Sequence, residues 1–181
     1  MKFILTYSNF LRESVGYDHG CIMIHVPVEN WNEITSKISS EDLYKESEGD
    51  NFGIQKNPHL TLLYPITKIV DVDEIKSIIR SVVKDEIPVK IQGIDLFENQ
   101  NYDVVKFNVL PNDILNNLHD ELKLRVPNND RYEVYNPHIT LAYAKKGLGQ
   151  KYVDPNYNYD FKSIDKIIYT RPNDTDLIIE L

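Results

Sequence analysis

The feature that most constrains the fold is a nine-residue segment that occurs twice. The segment "NPHLTLLYP" begins at Asn57, and "NPHITLAYA" begins at Asn136, 79 residues later. Six of the first eight positions are identical, namely Asn, Pro, His, Thr, Leu and Tyr. Both copies are rich in residues that favour strands, and both alternate around a His-x-Thr pair. A chain that repeats such a strand is expected to consist of two related halves.

Apolar patterning predicts a similar order of elements around both copies. It indicates strands at 20–26, 87–98, 102–110, 161–171 and 175–181, and helices at 27–38, 71–86 and 111–124. Residues 145–160 contain two glycines and are expected to form a loop. This order predicts an α+β fold, a duplicated unit in which each half contributes one His-x-Thr strand to a shared sheet.

The composition limits the partners and the compartment of such a chain. A length of 181 residues fits one domain, and the net charge of −8 opposes broad attraction to duplex DNA or anionic membranes. Cys21 is the only cysteine, so no intrachain disulfide can form and a reducing, cytoplasmic location is expected. The apolar run after Lys2 is too short for a signal peptide, and no run approaches the roughly 18 residues of a membrane span.

Alternation along a strand decides which side chains of the repeat share a face. His59 and Thr61 are expected on one face of the first strand, and His138 and Thr140 on one face of the second. The opposite faces are expected in the core, with Leu60, Leu62 and Tyr64 in the first strand and Ile139, Leu141 and Tyr143 in the second. If a pseudo-twofold axis relates the halves, two imidazoles and two hydroxyls meet across one cleft.

This set of side chains suits the cleavage of a phosphodiester without a metal. Histidine titrates near neutral pH, so one ring can take a proton from the attacking water or hydroxyl while the other gives a proton to the leaving oxygen. The threonine hydroxyls can donate to the non-bridging phosphate oxygens, where negative charge accumulates. We therefore predict a catalytic site made of His59, His138, Thr61 and Thr140, with no metal and no cofactor.

Other interpretations of the histidines have less support. A metal site needs further ligands, and no His-x-x-x-His, cysteine pair or His-Asp doublet accompanies the two motifs. Structural roles are expected for His25, in a predicted strand, and for His119, which borders the apolar stripe of a predicted helix. His19 lies in a loop with no visible partner. The sequence contains no glycine-rich phosphate loop and no nucleophile elbow around a serine.

Four further residues are candidates for contacts with a substrate. Continued alternation would place Lys146 on the face of the second His-x-Thr pair, where its ammonium either binds phosphate or stays solvated. Tyr17, Trp31 and Tyr44 precede the first motif and can stack on a nucleobase. For each of these three aromatic residues, packing in the core or on the surface is the favoured alternative.

The paired motifs resemble those of the two-histidine (2H) phosphoesterase superfamily, which includes 2′,3′-cyclic phosphodiesterases, 2′-5′ RNA ligases, and viral and phage enzymes that degrade signalling nucleotides. The resemblance covers residues 20–181, after an N-terminal arm at 1–19. It implies two pseudo-symmetric lobes with antiparallel sheets around a central cleft, with helices outside. It also implies that His59 and His138 are catalytic and that Thr61 and Thr140 contact phosphate.

A looser resemblance concerns the segments "GCIMIHVPVENWNEI", "EDLY" and "FGIQKNPHLTLLYP", which look like small phage proteins and imply a role against nucleotide-based host immunity. The leading hypothesis is a metal-independent phosphodiesterase that hydrolyses a cyclic or 2′-linked phosphodiester in a small nucleotide. A protein that sequesters the nucleotide without turnover would use the same cleft. RNA end-processing or ligation is a third alternative, which the acidic charge disfavours. The sequence leaves the oligomeric state and the acid and base roles of the two histidines open.

Overall fold

A computed structural model of the protein describes residues 19–45, 52–84, 86–161, 164, 166–172 and 176–181. The strands are β1 (Gly20–His25), β2 (His59–Ile66), β3 (Val89–Glu98), β4 (Tyr102–Val109), β5 (His138–Lys145), β6 (Asp154–Phe161), β7 (Lys166–Thr170) and β8 (Asp176–Glu180). The helices are α1 (Trp31–Thr35), α2 (Val72–Val82) and α3 (Asp113–Arg125), and a 3-10 helix covers Gly149–Tyr152. In this part of the chain, no helix is long and apolar enough to cross a membrane.

The eight strands form one antiparallel sheet in the order β6-β3-β4-β5-β2-β1-β7-β8. This order is symmetric about the junction of β5 and β2, so that β4 corresponds to β1, β3 to β7 and β6 to β8. The predicted α+β fold with two related halves is confirmed. The repeated segments are the two central strands, and the sheet is continuous across the junction between the halves.

The two longer helices cover the face of the sheet that lies opposite the histidines. The side chain of Asp71 caps α2 by accepting from the N–H of Asp73 at 2.8 Å, and Asn112 caps α3 by accepting from the N–H of Leu115 at 3.0 Å. Each helix then buries one apolar stripe. The two stripes share one core with the strands, formed in part by Ile75, Ile78, Ile79, Leu118 and Leu122 together with Leu60, Leu62 and Ile139.

Two predicted segments differ from the structure. The helix predicted at 27–38 is reduced to α1, because Asn30 takes a left-handed conformation with φ of 63° and delays the start of the helix. The Thr35 hydroxyl donates back to the carbonyl of Trp31 at 2.9 Å, a bond that competes with helix continuation. The loop predicted at 145–160 contains the 3-10 helix and β6. Strand β6 was missed because it is polar and contains Pro155, which an edge strand tolerates.

Both His-x-Thr strands carry a β-bulge at the same place. Ile22 pairs with Leu63 while Met23 pairs with Thr61, and the partners shift in the same way opposite β5, so each strand has one extra residue at this point. A second shift, which β5 lacks opposite β4, separates the pairs Gly20–Ile66 and Ile22–Leu63 of β2. The extra residue puts two consecutive side chains of each strand into the core and reverses the alternation that follows. The bulges therefore overturn the prediction that Tyr64 and Tyr143 lie on the packed face. Tyr64 is 41% exposed, and both tyrosines fall on the side of the histidines.

The halves interlock where the two central strands diverge. β2 and β5 are in register at Leu60 and Ile139, and beyond this pair each strand is completed by a connecting segment of the other half. The segment before β2 joins β5, where the N–H of Gln55 donates to a carbonyl at 2.9 Å. The segment before β5 joins β2, where the N–H of Asn129 donates to a carbonyl at 3.1 Å. The backbone around the two motifs is thus held from both halves.

Candidate active site

The four predicted catalytic side chains lie on adjacent strands at the centre of the sheet. Because Leu60 is the register partner of Ile139, the antiparallel arrangement places His59 opposite Thr140 and Thr61 opposite His138. These residues flank the Leu60–Ile139 pair, and their side chains lie on the face of the sheet opposite to that pair. Each histidine is therefore placed across from the threonine of the other half, and all four residues lie on one face.

The Asn-Pro part of the repeat fixes the orientation of both imidazoles. The Nδ1 of His59 lies 3.1 Å from the carbonyl oxygen of Asn57, and the Nδ1 of His138 lies 2.8 Å from that of Asn136. Because a carbonyl can only accept, the proton of each neutral ring is assigned to Nδ1, which leaves the lone pair on Nε2. The two histidines are thus held in the same tautomer, as a proton acceptor at Nε2 requires.

Burial lowers the pKa of both histidines. The pKa of His59 is lowered further by the charges of His138 and His25, and the pKa of His138 is lowered further by the charge of Lys106. The hydrogen bonds to the asparagine carbonyls act in the opposite direction in both rings. Both imidazoles therefore favour the neutral form in the unliganded protein, and a bound phosphate anion would favour protonation of one of them.

On the side of β4, the site contains charged and polar groups that the sequence reasoning missed. Lys106 is the cross-strand partner of Thr140, and Asn108 is the partner of His138. On β3, Asp95 pairs with Lys106, and the Phe97 ring meets the His138 ring edge to face, with centroids 4.9 Å apart. A lysine in the middle of the apolar strand "YDVVKFNV" was the available signal.

On the side of β1, the neighbours of the site are different. Met23 is the partner of Thr61, and His25 is the partner of His59. His25, for which a structural role was predicted, thus lies directly beside a candidate catalytic ring. The thiol of Cys21 is hydrogen-bonded to Thr61, and burial raises the pKa of this thiol to about 12. A protonated thiol is a poor nucleophile, so the raised pKa disfavours Cys21 as a nucleophile.

His119 anchors the bulge of β2 from the helical side. Its Nδ1 lies 2.7 Å from the carbonyl oxygen of Leu62, and its ring stacks on Tyr135 with centroids 4.3 Å apart. The hydroxyl of Tyr135 donates to the carbonyl of Thr61 at 2.8 Å. This arrangement accounts for a structural role of His119, since it holds the backbone of the first motif against α3 and the segment before β5.

The candidates for substrate contacts occupy different environments. Lys146 follows the end of β5, and its ammonium is engaged by Glu98 at 2.9 Å and by Asp103 at 3.1 Å. Trp31 is 7% exposed and donates from Nε1 to the carbonyl of Gln55 at 2.7 Å, which favours its packing role. Tyr17 and most of the predicted arm at 1–19 lie outside the described residues.

Tyr44 belongs to an aromatic cluster on the histidine side of the sheet, formed by Tyr44, Phe52, Tyr102 and Tyr143. Ring centroids in this cluster are 5.0–5.6 Å apart, mostly in edge-to-face contacts. Tyr143 and Thr140 pair with alternate residues of β4, Val104 and Lys106, so the cluster continues the face of the site along β5. Among the described residues, no group of three or more His, Cys, Asp or Glu side chains could hold a metal ion.

Comparisons with known proteins show where else this fold occurs. The chain is similar in structure to Kluyveromyces marxianus Usb1, solved with uridine monophosphate, with a TM-score of 0.58 and 12% identity over 91% of this chain and 99% of that chain. It is also similar to the ns2 PDE domain of MHV, with a TM-score of 0.52 and 11% identity over 84% and 97% of the two chains. The similarity to E. coli LigT in its apo form has a TM-score of 0.50 and 16% identity, over 92% of this chain and 96% of that chain.

These similarities in structure show a shared fold at low sequence identity. Among curated proteins, none matches the sequence. The sequence itself matches the 2′-5′ RNA ligase superfamily over residues 26–161, a stretch that includes both His-x-Thr strands. The chain therefore belongs to the 2′-5′ RNA ligase superfamily, the two-histidine phosphoesterases that its paired motifs resemble.

Proposed function

We propose that the protein is a metal-independent phosphodiesterase that hydrolyses a cyclic or 2′-linked phosphodiester in a small nucleotide. The observation that carries the proposal is the crossed arrangement of the site. Each histidine is placed across from the threonine of the other half, with both Nδ1 atoms held by asparagine carbonyls. A phosphate at the centre of this arrangement has a proton carrier on each side and a hydroxyl donor beside each carrier.

The chemistry follows from two histidines in different protonation states. The Nε2 of the neutral ring takes a proton from water as the oxygen of that water attacks phosphorus. The Nε2–H of the protonated ring gives its proton to the leaving oxygen as the P–O bond breaks, and each role contributes about 10²–10⁴-fold to the rate. Thr61 and Thr140 donate to the non-bridging oxygens, which carry the growing negative charge. The carbonyls of Asn57 and Asn136 stabilise whichever ring becomes an imidazolium.

Several features support a small nucleotide as the substrate. The net charge of −8 opposes long polyanions more than it opposes a single phosphodiester. The cluster of Tyr44, Phe52, Tyr102 and Tyr143 provides aromatic rings, on which bases stack with little sequence preference. That Usb1 has been solved with uridine monophosphate adds support for a nucleotide ligand on this fold.

The cellular setting is part of the same proposal. A single cysteine is in keeping with the reducing cytoplasm. A substrate among cyclic or 2′-5′ linked signalling nucleotides would make the protein an enzyme that removes an immune signal, as a viral protein in the cytoplasm of its host would do.

The test is the separate removal of the two rings. We expect His59→Ala and His138→Ala each to lower kcat by about 10²–10⁴-fold while the protein stays folded, and EDTA to leave the wild-type rate unchanged. His19→Ala is a matched control, because His19 lies at the opposite end of β1 from His25. Full activity in either active-site variant would contradict the proposal.

The substrates for this test are a panel of 2′,3′-cyclic mononucleotides, cyclic di- and trinucleotides and 2′-5′ oligoadenylates, analysed by mass spectrometry. The proposal predicts that at least one of them gains the mass of one water per phosphodiester that is cleaved. Recovery of bound but intact nucleotide would instead identify a protein that sequesters its ligand.

A further inference from the structure

Lys106 is a buried ammonium group within the proposed active site. It lies in the middle of β4, directly across from Thr140, and only 1% of its side chain is exposed. Lysine is almost never buried to this extent unless its charge is compensated. The surroundings of this ammonium therefore show whether its charge serves the fold or the site.

The compensation of the Lys106 charge is incomplete. The carboxylate of Asp95 lies 3.8 Å away and is itself 52% exposed, so water weakens this ion pair. The ammonium also donates to the side-chain oxygen of Asn108 and lies 4.3 Å from the centroid of the Phe97 ring. Burial lowers the pKa of Lys106, and Asp95 opposes that effect. Part of the positive charge is left to act on the face of the site.

The fold does not require a cation at this position. In the other half, the equivalent residue is Met23, which pairs with Thr61 as Lys106 pairs with Thr140. The equivalent of Asp95 is Ile168. The same backbone is thus built with an apolar pair in one half and a charged pair in the other, which indicates that the charged pair has a role beyond packing.

Two contacts connect the ammonium to the candidate catalytic ring of the same half. Asn108, which accepts from Lys106, is the cross-strand partner of His138. Phe97, whose face lies against the ammonium, meets His138 with its ring edge to face. The charge of Lys106 also disfavours protonation of His138. Lys106 therefore influences the orientation and the charge of that ring without occupying the space of the substrate.

We propose that Lys106 is a positioning residue of the phosphodiester site, whose buried ammonium draws the substrate phosphate toward the half that contains His138 and Thr140. This inference rests on the proposed function. A phosphodiester brings one negative charge into a protein of net charge −8, and the threonine hydroxyls are neutral. A fixed cation beneath one half of the site lowers the free energy of the bound anion and of the more highly charged transition state.

The experiment compares Lys106→Met, which copies the residue found in the other half, with Lys76→Met, which removes a half-exposed lysine from α2. Inorganic phosphate is the probe, and its dissociation constant is measured by calorimetry. We expect Lys106→Met to weaken phosphate binding about tenfold or more, and Lys76→Met to change it less than twofold. Equal effects of the two variants, or no phosphate binding by the wild-type protein, would overturn the inference.

A second measurement separates this role from a purely structural one. The charge that acts on His138 is that of Lys106 on β4, whose own partner on β3 is Asp95, and His138 in turn lowers the pKa of His59 on β2. Removing the charge of Lys106 should raise the pKa of His138, which we expect to see as a shift of its Hε1 titration to higher pH in the NMR spectrum of Lys106→Met. An unchanged titration in a folded variant would contradict an electrostatic role.

The outcome can be distinguished from failure of the proposed function. If His59→Ala and His138→Ala keep full activity, the phosphodiesterase proposal is wrong, whatever Lys106 does. If both histidine variants are inactive while Lys106→Met binds phosphate like Lys76→Met, only the role of Lys106 is wrong.

Discussion

The two halves of the sheet share one backbone plan and differ in the side chains around the candidate site. On the first half, the face next to β2 carries Met23 and Ile168, an apolar pair. On the second half, the equivalent positions next to β5 carry Lys106 and Asp95. The backbone repeat supplies two histidines in equivalent positions, and the flanking strands give them different neighbours. A symmetric backbone can therefore support a reaction in which one group donates a proton and the other accepts one.

The most direct test of this difference between the halves is to place a buried cation in the first half. Met23 is 2% exposed, and its neighbour on β7 is Ile168, so Met23→Lys would bury a cation without a carboxylate. We expect a loss of about 3 kcal/mol in the free energy of unfolding, measured by urea denaturation. Adding Ile168→Asp should recover part of that loss.

The reverse change is expected to cost little. Lys106→Met should alter the free energy of unfolding by about 1 kcal/mol or less, because the remaining carboxylate of Asp95 is 52% exposed and is solvated by water, so that no unpaired charge is left buried. A tolerated Met23→Lys would show that water reaches position 23 and would weaken the contrast between the halves.

The two threonines allow the halves to be compared through the loss of kcat in single variants, where a smaller effect is expected. We expect Thr61→Val and Thr140→Val each to lower kcat by roughly 10²-fold, the usual effect of removing one donor to a developing oxyanion. The loss should be greater at Thr61, since Lys106 lies beside Thr140 and still attracts the phosphate in Thr140→Val. Thr67→Val, just beyond the end of β2, is the matched control. A greater loss at Thr140 would reverse the inferred asymmetry.

The smallest effect is expected at His25. Asn108 is the equivalent residue in the other half, so His25→Asn makes the surroundings of the two candidate catalytic histidines more alike. The charge of His25 lowers the pKa of His59, and its removal should therefore raise that pKa. The acidic limb of the kcat/KM profile and the Hε1 titration of His59 should both move to higher pH. Movement to lower pH would mean that His25 stabilises the imidazolium of His59.

The repeat in the sequence was sufficient to predict the centre of the molecule. Strand periodicity and the duplicated His-x-Thr pair predicted the α+β fold and the two related halves. Both predictions depend on local sequence patterns, and the main pattern occurs twice in the chain. The outer parts were harder to predict. β6 is polar and contains Pro155, and α1 is shortened by the left-handed Asn30, so in both places the local pattern competes with tertiary contacts.

The site was predicted only as far as strict alternation holds. The bulges after Thr61 and Thr140 reverse the faces of Tyr64 and Tyr143, and a bulge has no clear signature in one sequence. The placement of Lys146 on the face of His138 and Thr140 assumed the same unbroken alternation, so it loses this support. Lys106 was missed for a different reason, since the role that we propose for it depends on cross-strand neighbours that are far away in the sequence.

The exchange of connecting segments between the halves has a consequence for how the protein folds. Each central strand is completed by residues from the other half, such as Gln55 beside β5 and Asn129 beside β2. These are contacts of high sequence separation, and chains dominated by such contacts fold slowly because a long loop must close before the contacts form. Neither half carries all the backbone partners that its own motif requires. The candidate active site is therefore complete only when both halves have folded against each other.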